Sequence, residues 1–192
     1  MGQLGLISGK ISLKRPPTNL PFWFSSTTLW ANLSEILMSD IQRTLVLVKP
    51  DALQRELVGE ILSRFERKGL KMIAMKLAHL DEATLTEHYG HIKDKPFFPS
   101  LVQYMRSTPV VAVVYEGVEI IDEVRKVVGA TNPRKADAGT IRADLSMNVP
   151  SNMVHASDSP EAAATEIKRF FKEEELFTYE KLTDRFHFGE GI

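Results

Sequence analysis

Cysteine is absent from the 192-residue chain. Disulfides, thiol nucleophiles and thiolate metal sites are thereby excluded, and a reducing compartment fits. Histidine is scarce, with five residues at 79, 88, 91, 155 and 187, which argues against a histidine-rich metal centre. Neither sign of charge dominates. A formal net charge of −1 gives no support for a general nucleic-acid or membrane-surface role. No apolar run approaches the roughly 18–20 residues of a membrane-spanning helix. What remains is an ordinary globular composition, 43% hydrophobic and 26% charged, sufficient for one domain with its own core.

Residues 1–37 differ from the rest. Lys10, Lys14 and Arg15 are their basic residues, Glu35 their acid, and Trp23 and Trp30 are the two tryptophans of the chain. Three readings compete: an upstream start ahead of Met38, a transit-like segment, or a hydrophobic contact through Pro21-Phe22-Trp23-Phe24. The first is favoured, making 1–37 a non-catalytic extension of a catalytic domain at 38–179, with a tail at 180–192. A cytoplasmic location follows, or an organelle if the extension is a transit peptide.

Residues 44–48 are β-prone and nearly continuous in apolar character, as a central strand requires, and Pro50 ends their ladder. Val58, Ile61, Leu62 and Phe65 repeat at helical spacing, with Gly69 placed beyond the helix end. A second strand is expected over 70–77, then a short helix capped by Asp81. Residues 110–115 form the strongest strand and 119–128 a helix. Residues 129–151 read as one long irregular connection. A brief strand over 153–156 is followed by a helix starting at Ser159-Pro160. The order gives an α+β class: a ferredoxin-like split β-α-β sandwich, a four-stranded, mostly antiparallel sheet with helices on one face.

Chemistry gathers around His155. A lone histidine is usually a satisfied core residue, but Ala156, Ser157 and Asp158 leave room for a ligand, and Glu166 follows in the next helix. A carboxylate on one ring nitrogen leaves the other nucleophilic. Arg125 and Arg142 suit phosphate oxygens, although a solvated helix face for the first and an ion pair to Asp144 for the second fit as well. Lys49 closes a strand where an ammonium either snorkels or meets phosphate. Phe97 could stack on a nucleobase, but an aromatic after proline is more often core, and Tyr89 could likewise be a core-edge tyrosine instead of a hydrogen bonder near His155.

Jointly these stretches resemble the nucleoside diphosphate kinase family. The likeness rests on Thr44-Leu45-Val46-Leu47-Val48-Lys49-Pro50-Asp51, Glu87-His88-Tyr89 and Lys95-Pro96-Phe97-Phe98. It continues through Gly129-Ala130-Thr131-Asn132-Pro133, Gly139-Thr140-Ile141-Arg142 and Asn152-Met153-Val154-His155-Ala156-Ser157-Asp158-Ser159. It covers about residues 42–179. The resemblance implies transfer of the γ-phosphoryl group from a nucleoside triphosphate to a nucleoside diphosphate by a ping-pong route through a phosphohistidine on His155. It implies that Glu166 orients the ring and that Lys49, Tyr89, Arg125, Thr131 and Arg142 hold the phosphates. By the same likeness Asn152 takes sugar hydroxyls, Phe97 stacks on the base with little base preference, and Mg²⁺ rides on the nucleotide with Asp158 nearby through water. Family members assemble as homo-oligomers, and a hexamer is favoured over a tetramer. A nucleotide-binding regulatory module and a phosphohistidine relay protein are the alternatives. Ala52, Glu56, Ala143 and Ala156 stand where the family often has glycine, so an ordinary backbone φ is expected at each.

Overall fold

The computed structural model describes residues 41–182, so the expectations for residues 1–37, including Trp23 and Trp30, lie outside the described residues. Strands β1 (Ile41–Val48), β2 (Lys71–Ala78), β3 (Val110–Val118) and β4 (Val154–Ala156) form one sheet in the order β2-β3-β1-β4. Every neighbouring pair is antiparallel. The two most apolar runs are the inner strands, because only there is a segment covered on both sides.

Seven helices accompany them among the described residues: α1 (Pro50–Gln54), α2 (Val58–Arg67), α3 (Glu82–His88), α4 (Phe98–Met105), α5 (Ile120–Val128), α6 (Ile141–Leu145) and α7 (Pro160–Phe170). Val46, Val48, Val111, Val113 and Tyr115 share one sheet face with Ile61 and Phe65 of α2 and Ile121 and Val124 of α5. Leu45, Leu47, Val110, Ala112 and Val114 share the other with Leu85 of α3, Met105 of α4 and Ile167 and Phe170 of α7. The α+β class matches the expectation from sequence, but helices on one face do not: both faces are covered. The reason was present in the strands, since a one-sided sheet alternates apolar with polar residues whereas β1 over residues 45–48 and β3 over 110–115 are unbroken apolar runs. Each fully buried aliphatic side chain contributes about 1.5–3 kcal/mol.

Local rules set the boundaries. Asp81 accepts the Thr84 N–H at 2.7 Å to start α3, and Ser159 accepts the Ala162 N–H at 3.1 Å to start α7, with Pro160 in the first turn. Pro50 opens α1 besides ending β1. The connection over 129–151 is not irregular throughout: it holds a 3₁₀ turn, Pro133–Lys135, and α6, capped by Thr140 on the Ala143 N–H at 3.3 Å. On the outer strand β2 the register slips between Met72 and Ala74, and beyond the slip Met75 and Leu77 are exposed.

Glu56 corrects a further expectation. It takes the left-handed conformation with φ 59°, while Ala52, Ala143 and Ala156 keep ordinary values. Left-handed backbone costs a residue with a Cβ roughly 1–2 kcal/mol, partly offset by glycine's larger entropy loss. Glu56→Gly should therefore raise stability by about 0.5–1 kcal/mol, measurable as a higher urea midpoint with unchanged slope. An equal or lower midpoint would show that the turn is unstrained.

Candidate active site

Strand pairing places His155 opposite Leu47, which turns its ring to the sheet face covered by α3, α4 and α7. There Nε2 lies 3.0 Å from Glu166 Oε2, on α7. The spacing of eleven residues could not show this contact; it depends on α7 folding back along β1. Ser157 Oγ donates to the same carboxylate oxygen at 2.7 Å, and itself accepts the Leu45 N–H at 3.2 Å. Burial would raise the Glu166 pKa, but the hydrogen bonds from His155 and Ser157 outweigh it and hold the carboxyl below its usual range. With Nε2 engaged, Nδ1 is the nitrogen left for chemistry.

The ring lines a cavity of about 970 Å³, whose wall also carries Lys49, Tyr89, Phe97, Arg125, Thr131, Arg142, Asn152 and Asp158. All the residues expected at the site are therefore together. Arg142 does not pair with Asp144, which instead binds Arg64 at 2.7 Å. Arg142 is 8% exposed, and its guanidinium donates to the carbonyls of Val154 at 2.7 Å, Gly129 at 3.0 Å and Asn152 at 3.4 Å. Burial, with Arg125 nearby, lowers its pKa to about 10, so it stays cationic at neutral pH. Gly129 makes this possible: its φ is 84°, and an added Cβ would collide with the Thr140 side chain, 2.7 Å from that residue's Cβ. Arg125 sits on the cavity side of α5, while its neighbours Glu123 and Lys126 pair with each other.

Lys49 is 7% exposed and its Nζ donates to Asn152 Oδ1 at 2.6 Å. Burial drives its pKa down to about 8; Asp51 opposes the shift and Arg142 adds to it. Asn152 also donates from Nδ2 to the Thr131 carbonyl at 3.0 Å, so its amide braces the lysine against the loop. Phe97 is not core. It is 54% exposed at the cavity wall. Tyr89 is buried, and both burial and Glu166 push its hydroxyl pKa up, keeping it protonated.

Several contributors were not legible in the sequence. Asp51 accepts the Tyr104 hydroxyl through Oδ1 and the Met153 N–H at 3.0 Å through Oδ2, steadying Met153 at φ 67° just before β4. Val149 is half exposed at the wall that also carries Phe97. The donor atoms of His88, His155 and Glu166 fall within 4.8 Å, a ligand-like grouping. His155 and Glu166 are hydrogen-bonded to each other and Nδ1 of His88 meets Arg169, so the trio is occupied by protein partners. A carboxylate directly after Lys49-Pro50, at a helix start, was the one available signal for Asp51.

A cleft of nucleotide dimensions, with three buried or flanking cations and a carboxylate-tethered imidazole, defines a phosphotransferase acting on nucleotides. The family profile described as nucleoside diphosphate kinase matches residues 42–176. A nucleoside diphosphate kinase from Methanobrevibacter smithii is 54% identical over 140 residues, covering 73% of this chain and 93% of its own length. Among solved structures, the Halobacterium salinarum nucleoside diphosphate kinase in complex with CDP superposes with a TM-score of 0.73 at 41% identity, covering 76% of this chain and 97% of that one. A transition-state mimic of the Borrelia burgdorferi enzyme, with vanadate and ADP, gives 0.72 at 38% identity, covering 77% and 96%. The chain belongs to the nucleoside diphosphate kinase family, and its reaction is transfer of the γ-phosphoryl group from a nucleoside triphosphate to a nucleoside diphosphate.

Proposed function

We propose that this transfer runs by a ping-pong mechanism through His155. Nδ1 attacks the γ-phosphorus, the bond to the β,γ-bridging oxygen breaks, and the first diphosphate leaves. The acceptor diphosphate's terminal oxygen then attacks the same phosphorus and the P–N bond breaks. The observation that carries this reading is the 3.0 Å His155–Glu166 contact. With the Nε2 proton directed at a carboxylate, Nδ1 keeps its lone pair, and the cation formed on phosphorylation meets a fixed negative charge. Lys49, Arg125 and Arg142 neutralise the phosphate oxygens, and Tyr89 and Thr131 add contacts at the same wall. Phe97 stacks on the base without reading an edge, which supports broad base use. Asn152 serves the sugar hydroxyls and braces Lys49.

The donor set fits Mg²⁺ carried by the nucleotide and not by the protein. Asp158 is the exposed carboxylate at the cavity, while Glu166 is committed to His155 and Ser157. One carboxylate beside phosphates is what Mg²⁺ ordinarily takes, and when bound it would neutralise charge on the transferring group. The exposed apolar Met75 and Leu77 on the outer strand support a homo-oligomer, for which a hexamer is favoured over a tetramer. A cytoplasmic site of action completes the proposal.

Incubation with γ-labelled ATP and then excess GDP tests the mechanism. Acid-labile labelled protein that GDP discharges as labelled GTP supports it. Absence of label would favour a regulatory binding module, and label that GDP leaves in place would favour a relay protein. Lys49 adds a pH signature. Its ammonium is present below about pH 8 and lost above it, so kcat/KM, which reports the free enzyme, should fall as pH rises through that value. Lys49→Arg, which cannot deprotonate, should flatten that alkaline limb; an unchanged limb would assign it to another group.

A further inference from the structure

Behind the catalytic ring lies a second histidine that the mechanism does not use. His88, at the end of α3, is buried, and its ring meets His155 edge-on with centroids 4.6 Å apart. Tyr89 and Phe170 close the other sides, at 4.6 and 5.3 Å. Its Nδ1 is 3.3 Å from Nη1 of Arg169 on α7. Arginine has donors and no acceptor, so Nδ1 must accept and the ring proton must sit on Nε2. That Nε2 is buried with no hydrogen-bond partner among the described residues. The fold tolerates this orphan donor for the sake of the contact on the other side.

The same Nδ1 faces Glu166 Oε1 at 3.8 Å, too far for a hydrogen bond. The neutral tautomer cannot donate there in any case. Glu166 receives both its hydrogen bonds on Oε2, from His155 and Ser157. Were Nδ1 of His88 to gain a proton, it would become a rival cation for Glu166, one ring away from an imidazole that must itself turn cationic. Arg169 stands against that. It is held at this spot by Glu87, whose carboxylate lies 2.9 Å from Nη2.

We propose that Arg169 is a positioning residue: by occupying Nδ1 of His88 it reinforces burial in keeping that ring neutral, reserves Glu166 for His155, and extends turnover into acid. The inference rests on the reading of His155 as the phosphoryl acceptor. The charged and titratable groups facing His88 are Glu87, His91 and Tyr89 beside it in sequence, His155 on β4, and Glu166 and Arg169 on α7. Burial lowers the His88 pKa to about 3; His155, Arg169 and His91 push the same way and Glu166 opposes. Between that value and the ordinary histidine range near 6.5 the ring thus remains unprotonated in the folded chain.

The test is the kcat profile from pH 4.5 to 8 of the full chain and of Arg169→Leu, which removes the charge and the donor but keeps a good helix former. Arg169→Leu should match the parent at pH 8 in kcat and KM. If losing that neighbouring charge raises His88 by about one unit from about 3, kcat of the variant at pH 4.5 should fall by roughly a quarter below the parent's, with KM unchanged. Adding His88→Phe, which fills the ring's space and cannot titrate, should return kcat of Arg169→Leu at that pH to the parental value. A kcat at pH 4.5 that Arg169→Leu leaves in place overturns the proposal, as does a double variant that still shows the fall. ¹⁵N shifts of labelled histidine in the parent chain give a readout independent of turnover and of the variants' folding. A protonated Nε2 and bare Nδ1 on His88 down to pH 4.5 are expected; the opposite tautomer, or titration near 6, refutes the assignment. Labelling that survives His155→Ala would sink the mechanism while leaving this tautomer intact, so the two failures are distinguishable.

Discussion

His155→Ala should lose phosphoryl transfer by roughly 10⁴-fold or more, because the groups around a covalent nucleophile act as a unit with it. Nothing else at the wall can take over. Glu166 is tied up by Ser157, and His88 is buried with its nucleophilic nitrogen under a guanidinium. Acid-labile label from γ-labelled ATP should vanish in the same variant, while nucleotide binding, measured by calorimetry, should change by less than about threefold, or roughly 0.65 kcal/mol. That split is the informative part, since a misfolded variant would lose both. Turnover within about tenfold of the parent would move the reaction to another residue.

Arg142→Met should fail in two ways at once. The guanidinium spans the carbonyls of Gly129, Asn152 and Val154, and truncation strips those of Gly129 and Val154 of this donor in a mostly buried place, while that of Asn152 still accepts the Val154 N–H at 2.7 Å. An unsatisfied buried acceptor costs about 1–3 kcal/mol; with water reaching some of them, a stability loss of about 3 kcal/mol is expected. Removing a fixed positive charge from the developing transition state should lower kcat/KM by roughly 10²–10³. Denaturant midpoints and steady-state kinetics check the two separately. Arg142→Lys offers a sharper comparison, because one ammonium cannot reach three carbonyls. Recovery of charge without recovery of stability is the expected pattern, and full recovery of both would show that the fork geometry is unimportant.

Much of this was legible from the chain alone, for reasons that differ by residue. β1 and β3 announced themselves through uninterrupted apolar runs, and α7 through Ser159-Pro160 at its start. α6 did not, because five residues carrying one buried isoleucine are too short to show a period. Glu166 could be named but not placed, since hydrogen-bond reach between a strand and a helix depends on how the helix docks. Arg142 looked equally suited to Asp144; the acid's true partner is Arg64, on α2, a pairing that sequence proximity argues against. Asp51 and Tyr104 went unseen because each matters only through the other and through the strained Met153. Residues acting through space alone leave no local trace.

β4 has only three residues, and its partner strand lies over a hundred positions earlier in the chain, with Ser157 reaching back to Leu45. Contacts this remote are the slowest to form, because loop closure must be accomplished before they return anything. His155 is thus mounted on the sheet pairing with the largest separation along the chain. A chain with β1 and β3 paired but β4 undocked would lack the 3.0 Å contact between His155 and Glu166, so phosphate capture waits on that pairing.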